Sequence, residues 1–228
     1  YFERSIIYFL EQFRRIYVGD QALAKSLVYQ KLSDSLGLAN HVMYLEVIVR
    51  KIITNLNWWR QEPAIVKDSL VLFNDLAAGY SSGKLLSKLE IVDVVLTHHT
   101  VCTHTHTRAS HHCHLLIAQL VVLITGAEFP FLTYEENLSN RTTYYSTLGR
   151  ILVSGDNIEK FDTFMEPFGQ TCTMLLQTPH ENFRKSDCKK CLIGLFRDLR
   201  GVVFACNHKP MYLRFFEWMC VLVVVVAA

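Results

Sequence analysis

The chain has 228 residues, enough for one large domain or several repeats, and half of them are hydrophobic. With 19% charged residues and a formal net charge of +2, it lacks the basic excess of a dedicated nucleic-acid binder, so nucleic acid is not an expected partner. The apolar runs at 115–124 and 219–228 fall short of the roughly 20 residues a membrane span needs, so membrane insertion is not expected.

In chain order, the pattern predicts helices. Phe2, Ile6, Phe9, Phe13, Ile16 and Tyr17 recur at spacings of three and four. That predicts an opening amphipathic helix with this stripe inward and Glu3, Arg4, Glu11, Arg14 and Arg15 in water. Gly19-Asp20 stops it, and a second helix over 22–36 ends at Gly37. A third, over 41–57 and capped by Asn40, puts Leu45, Ile48, Val49, Ile52 and Leu56 on its inner face. Pro63 suits the first turn of a fourth, where Val66, Leu70, Phe73, Ala77 and Tyr80 share one side. Gly83 is expected to break it ahead of a fifth helix over 84–97.

The tract from His98 to His114 differs, holding seven of the ten histidines in a Thr-His alternation that has no core-forming period. Beyond it, helices are predicted over 141–153, over 158–177 with a bend at Pro167, over 184–207, and over 211–226. Helix pairs recur at about 40 residues, the period of HEAT-type repeats. The predicted fold is therefore all-α, part of a HEAT-repeat-like helical solenoid, with an irregular helical bundle as the alternative. Trp58, Trp59 and Trp218 read as packing residues.

Seven cysteines without a regular framework predict reduced thiols in the cytosol or nucleus. The sequons at Asn137 and Asn140 would there go unused. Cys102, His104, His106, His111, His112, Cys113 and His114 are zinc ligands by type, but the alternation fixes neither spacing nor ring orientation. Cys188 and Cys191 could be drawn together with Cys206 and His208. However, Leu192, Leu195, Leu199, Val202 and Val203 keep helical spacing through that interval. One rigid helix would separate its ends by about 22 Å. No metal site, catalytic residue or cofactor is therefore expected, and no Gly-x-Ser-x-Gly, phosphate loop or HExxH occurs. One charged cluster stands out: Arg197, Asp198 and Arg200 interrupt an otherwise apolar helix. They read either as an ion pair that fixes helix stacking or as candidate protein-contact residues on the surface of a solenoid.

Several blocks carry a closer likeness: 2–21, 51–56, Glu62-Pro63, 74–76 with 79–82, 141–145 with 148–150, Phe164-Met165 with Pro167, Gly194-Leu195, 197–201 and 216–218. Together they resemble the exportin 7 / Ran-binding protein 17 group of the karyopherin-β nuclear transport receptors. The resemblance implies a HEAT-repeat superhelix, without enzymatic activity, that binds Ran-GTP and protein cargo. It also implies nucleoporins as partners and residence in the cytoplasm, the nucleus and the nuclear pore complex. A helical scaffold without Ran-linked transport is the alternative.

Against this group, 1–100 and 127–219 are expected as HEAT-like repeats of an interior fragment. Residues 101–126 are expected as a His/Thr-rich insertion outside the family fold, from translated non-coding sequence. The apolar 220–228 is expected as an aberrant tail.

Overall fold

The computed structural model describes residues 1–14, 27–35, 41–97, 99, 129–176, 186–206 and 209–227. Among these there is no strand. The α-helices are α1 (Phe2–Arg14), α2 (Leu27–Ser35), α3 (His41–Trp58), α4 (Pro63–Ala78), α5 (Tyr80–Leu86), α6 (Glu90–Thr97), α7 (Leu138–Gly155), α8 (Ile158–Leu176), α9 (Ser186–Ala205) and α10 (Lys209–Ala227). Two 3-10 turns, Pro130–Thr133 and Glu135–Asn137, lead into α7.

The helices stack in two rows. α1, α4, α7 and α9 follow one another in the first, and α3, α6, α8 and α10 form the second. Each of these eight helices packs on a neighbour in its own row, while pairs such as α3–α4 and α8–α9 join the rows. This is an all-α helical repeat. One core runs between the rows, and its largest fully buried side chains include Tyr44, Phe73, Tyr144, Tyr145, Phe161 and Phe164. Each such side chain removed from water contributes about 1.5–3 kcal/mol before ordering entropy is counted.

α3 buries Leu45, Ile48, Val49, Ile52 and Leu56, and α4 buries Val66, Leu70, Phe73 and Ala77, as their spacing predicts. The break after α4 comes earlier than expected, at Gly79, whose backbone is extended (φ −72°, ψ 128°). Ser82 Oγ donates to the Leu76 carbonyl at 2.5 Å and so satisfies the end of α4. Gly83 lies inside α5, where a Cβ would stand 2.8 Å from the Ala77 carbonyl and 2.8 Å from Ser154 Oγ. Its role is close packing of α5 on the end of α7. The segment 84–97 is accordingly two helices, α5 and α6. α8 continues through Pro167, and α7 ends on Asp156 in the left-handed region (φ 49°), whose N–H donates to Val153 O.

α1 turns a different side inward from the one its stripe suggests. Ile7 is buried and Leu10 packs on the core, while Phe2 and Phe9 are exposed. The charges explain the rotation: Glu3 pairs with Lys51 of α3 at 2.6 Å, and Arg4 pairs with Asp68 of α4 at 2.6 Å. Ion pairs on both sides fix the face that carries residues 3, 7 and 10. The expected inward positions Phe13, Ile16 and Tyr17 lie outside the described side chains.

Trp58 is also corrected. It is 83% exposed, with Trp59 beside it at 39%, whereas Trp218 packs against the core. Among the described residues no helix is long and apolar enough to cross a membrane.

Candidate protein-contact site

The sequence sets Arg197, Asp198 and Arg200 in one turn, and the fold divides them. α9 packs on α7 through Gly194, Asp198, Gly201 and Ala205, which share one face at helical spacing. A Cβ on Gly201 would stand 2.5 Å from the Thr142 carbonyl and 2.9 Å from Tyr145 Cβ. Gly149 on α7 meets Ala205 Cβ in the same way, at 2.6 Å. Small residues thus bring the two backbones close enough for a short, polar seam.

Asp198 fills that seam. It is buried, and Arg141 Nε donates to its Oδ1 at 2.7 Å while Nη2 donates to Oδ2. Arg141 Nη1 donates to the Leu132 carbonyl at 2.7 Å, so one guanidinium holds α7, α9 and the first 3-10 turn together. Burial pushes the Asp198 carboxyl up to about 6, and the Arg141 guanidinium acts against that rise. The cluster read from the sequence is therefore split. Asp198 is held in a stacking ion pair with Arg141. Arg200 is exposed, with its guanidinium 5.3 Å from the Phe204 ring centroid, and Arg197 is half-exposed.

Beside the seam lies a cleft of about 600 Å³ between the 3-10 turns, α7, α8 and α9. Arg141 and Asp198 line it, as do Phe168, Met174 and Cys191. At its edge Lys190 pairs with Glu135 at 2.9 Å.

Three further residues escape a reading by sequence. Asn137 and Asn140 look like glycosylation acceptors, yet both are buried. Asn137 Nδ2 donates to the Arg60 carbonyl at 2.7 Å, and Asn140 Nδ2 donates to Asn137 Oδ1 at 3.1 Å. They tie the α3–α4 turn to the start of α7.

His99, read as part of the low-complexity tract, is a core residue. Its ring lies against Tyr145, Phe164 and Phe168, its Nε2 donates to the Phe164 carbonyl at 2.9 Å, and Tyr145 Oη donates to the His99 carbonyl at 3.1 Å. The remaining tract, with Cys102, Cys113 and the other histidines there, lies outside the described residues. So do His208 and the side chain of Cys188. Cys191 is half-buried and Cys206 buried, and burial pushes the Cys206 thiol up to about 11. Among the described residues no three His, Cys, Asp or Glu side chains are grouped to hold a metal ion.

The blocks at 141–145, 148–150 and 194–201 are the two sides of this seam. Comparison with known proteins gives them a family. The description Exportin-7-like, TPR domain, matches residues 1–112. Exportin-7 of Dictyostelium discoideum is 36% identical over 219 residues, which cover 95% of this chain and 19% of that protein. Exportin-7-B of Xenopus laevis is 38% identical over 224 residues, covering 95% of this chain and 18% of that protein. Ran-binding protein 17 of Homo sapiens is 37% identical over 224 residues with the same two coverages. The chain spans about a fifth of the length of the curated relatives it matches. No solved structure matches it. With more than a third of the aligned positions identical along 95% of its length, the chain belongs to the exportin-7-like family.

Proposed function

We propose that this stretch works within a nuclear export receptor that binds Ran-GTP and protein cargo. On this reading it moves between nucleus and cytoplasm through the nuclear pore, with nucleoporins as further partners. The observation that carries the reading is 36–38% identity, along 95% of the chain, to proteins named Exportin-7 and Ran-binding protein 17. Its work is reversible recognition by a helical array rather than catalysis, and Ran's nucleotide state acts through differential contacts. The candidate contact residues are Arg197, Asp198 and Arg200, of which Arg200 is exposed and Asp198 is also held by Arg141.

The test compares Ran-GTP with Ran-GDP for binding to a receptor that contains this stretch. Tighter binding of Ran-GTP is expected. Equal affinity for the two would leave a helical scaffold without Ran-linked transport.

On the same reading 101–126 is an insertion outside the family fold, with 101–112 inside the matched stretch 1–112, and 220–228 is an aberrant apolar tail. Ring contacts support the first point. His99 touches Tyr145, Tyr145 touches Tyr144, and Tyr144 touches Phe129. His99 and Phe129 thus belong to one aromatic cluster. Sequencing the transcript across the boundaries at Thr100 and Gly126 tests this: a continuous, spliced coding sequence through both would refute an origin in non-coding sequence.

A further inference from the structure

The cleft beside the α7–α9 seam has a volume of about 600 Å³, the size of a small-molecule site. Its walls come from inside the stack. α9 contributes the side turned to α7, with Cys191, Gly194 and Asp198, and α8 contributes Phe168, Thr171 and Met174. The cleft is thus bounded by successive helices and is not an outer face of either row.

Arg141 supplies its polar end. A guanidinium carries five N–H donors. Two go to Asp198 and one to the Leu132 carbonyl, which leaves one on Nη1 and one on Nη2. No acceptor among the described residues takes either of these. Arg141 lines the cleft, and its side chain is 19% exposed. Gly194 leaves room for it: an added Cβ there would stand 3.2 Å from Arg141 Cζ. Around this polar end, Leu138, Phe168, Met174 and Leu195 make the lining largely apolar.

The charge of the lining selects among ligands. Its ionic groups pair off as Arg141 with Asp198 and Lys190 with Glu135, so the lining is neutral as a whole. Burial has already pushed the Asp198 carboxyl up to about 6. A ligand carboxylate brought beside it would be repelled, and an ammonium would be repelled by the guanidinium. A neutral acceptor incurs neither penalty and satisfies the donors left over on Arg141.

We infer that this cleft binds a neutral, mainly apolar small molecule that carries a carbonyl or amide oxygen. The oxygen accepts from Arg141, and the apolar body lies along Phe168, Met174 and Leu195.

The test uses the full chain and four matched probes followed by ligand-observed NMR: phenylbutanamide, phenylbutanoate, phenylbutylamine and butylbenzene. The amide should bind roughly tenfold more tightly than the acid or the amine, and severalfold more tightly than the hydrocarbon. It should also raise the thermal midpoint as its concentration rises, because it binds the folded chain. Thr171→Trp fills the cleft from α8 and should abolish amide binding with the urea midpoint little changed. Arg141→Lys keeps the charge but loses the fork. It should remove the preference for amide over hydrocarbon while hydrocarbon binding persists, and Thr171→Trp decides should that variant fail to fold.

Binding of the acid as tight as that of the amide would make this an anion site and overturn the proposal. Amide binding unchanged in Thr171→Trp would place the ligand elsewhere and overturn it too, as would no binding of any probe. Far tighter binding of a blocked peptide with one central Phe would assign the cleft to a partner protein instead. Ran discrimination is read separately, so each of these outcomes leaves the transport reading standing.

Discussion

Among the described residues, three Arg–Asp pairs join neighbouring helices of the same row, and the two in the first row differ in almost everything else. At the α7–α9 seam, Arg141 and Asp198 are 19% and 5% exposed, flanked by Gly149, Gly201 and Ala205 at backbone contact. At the α1–α4 junction, Arg4 and Asp68 are 43% and 23% exposed, and Phe2 and Phe9 of the same helix lie open to solvent. The same two residue types therefore carry different weights. In the seam the charges have lost their water and depend on each other, whereas at the junction solvent shares the work.

The sharpest way to break this contrast is Arg141→Met. It leaves the Asp198 carboxylate buried without its partner and frees the Leu132 carbonyl, and should cost about 3–5 kcal/mol in urea unfolding. The pH dependence gives a second readout. Asp198 stands at about 6 in the fold, above its unfolded value of about 3.9, so the folded chain takes up the proton first as pH falls. Its contribution to stability is therefore greatest below about pH 4 and declines as pH rises toward 6. Without Arg141 the folded value rises further, so the deficit of the variant should be largest near neutral pH and shrink toward pH 5. A deficit that does not change with pH would mean that Asp198 finds other donors.

A smaller effect is expected from Gly201→Ala. The added methyl must displace the Thr142 carbonyl and Tyr145 Cβ, both on rigid backbone, so overpacking should cost about 1–3 kcal/mol. The urea midpoint measures it. A neutral or stabilising result would show that α9 can slide along α7, and the seam would then be looser than its close contacts indicate.

How far the sequence revealed this depends on what each residue has to choose between. The apolar stripe of α3 was legible because Leu45, Ile48, Val49, Ile52 and Leu56 recur at helical spacing, whereas Asn55, buried among them on Ser69, was not. α1 was misread because its periodicity marks a stripe but cannot say which neighbours its charges will find. Glu3 and Arg4 rotate the helix to reach Lys51 and Asp68, residues 48 and 64 positions away.

The turn of Arg197, Asp198 and Arg200 was recognisable as a cluster. Its division needs Arg141, 57 positions from Asp198, and no local pattern announces that partner. Asn137, Asn140 and His99 were hidden for the same reason. Each looks like a surface motif by its neighbours in sequence and is a core residue by its neighbours in space.

The smallest expected effect tests the other half of the comparison. Arg4→Ala removes the α1–α4 ion pair, but the Arg4 side chain is 43% exposed, so solvent already screens its charge. The Glu3–Lys51 pair and the buried Ile7 still hold the same face of α1 against the core. The urea midpoint at physiological ionic strength should therefore be indistinguishable from that of the unmodified chain, with a small loss appearing only as salt is lowered. A loss matching that of Gly201→Ala would mean that α1 depends on its charges as α9 does. The exposure of the pair would then be a poor guide to its weight, and α1 would have to be counted as a second rigid seam rather than as a helix seated mainly by Ile7.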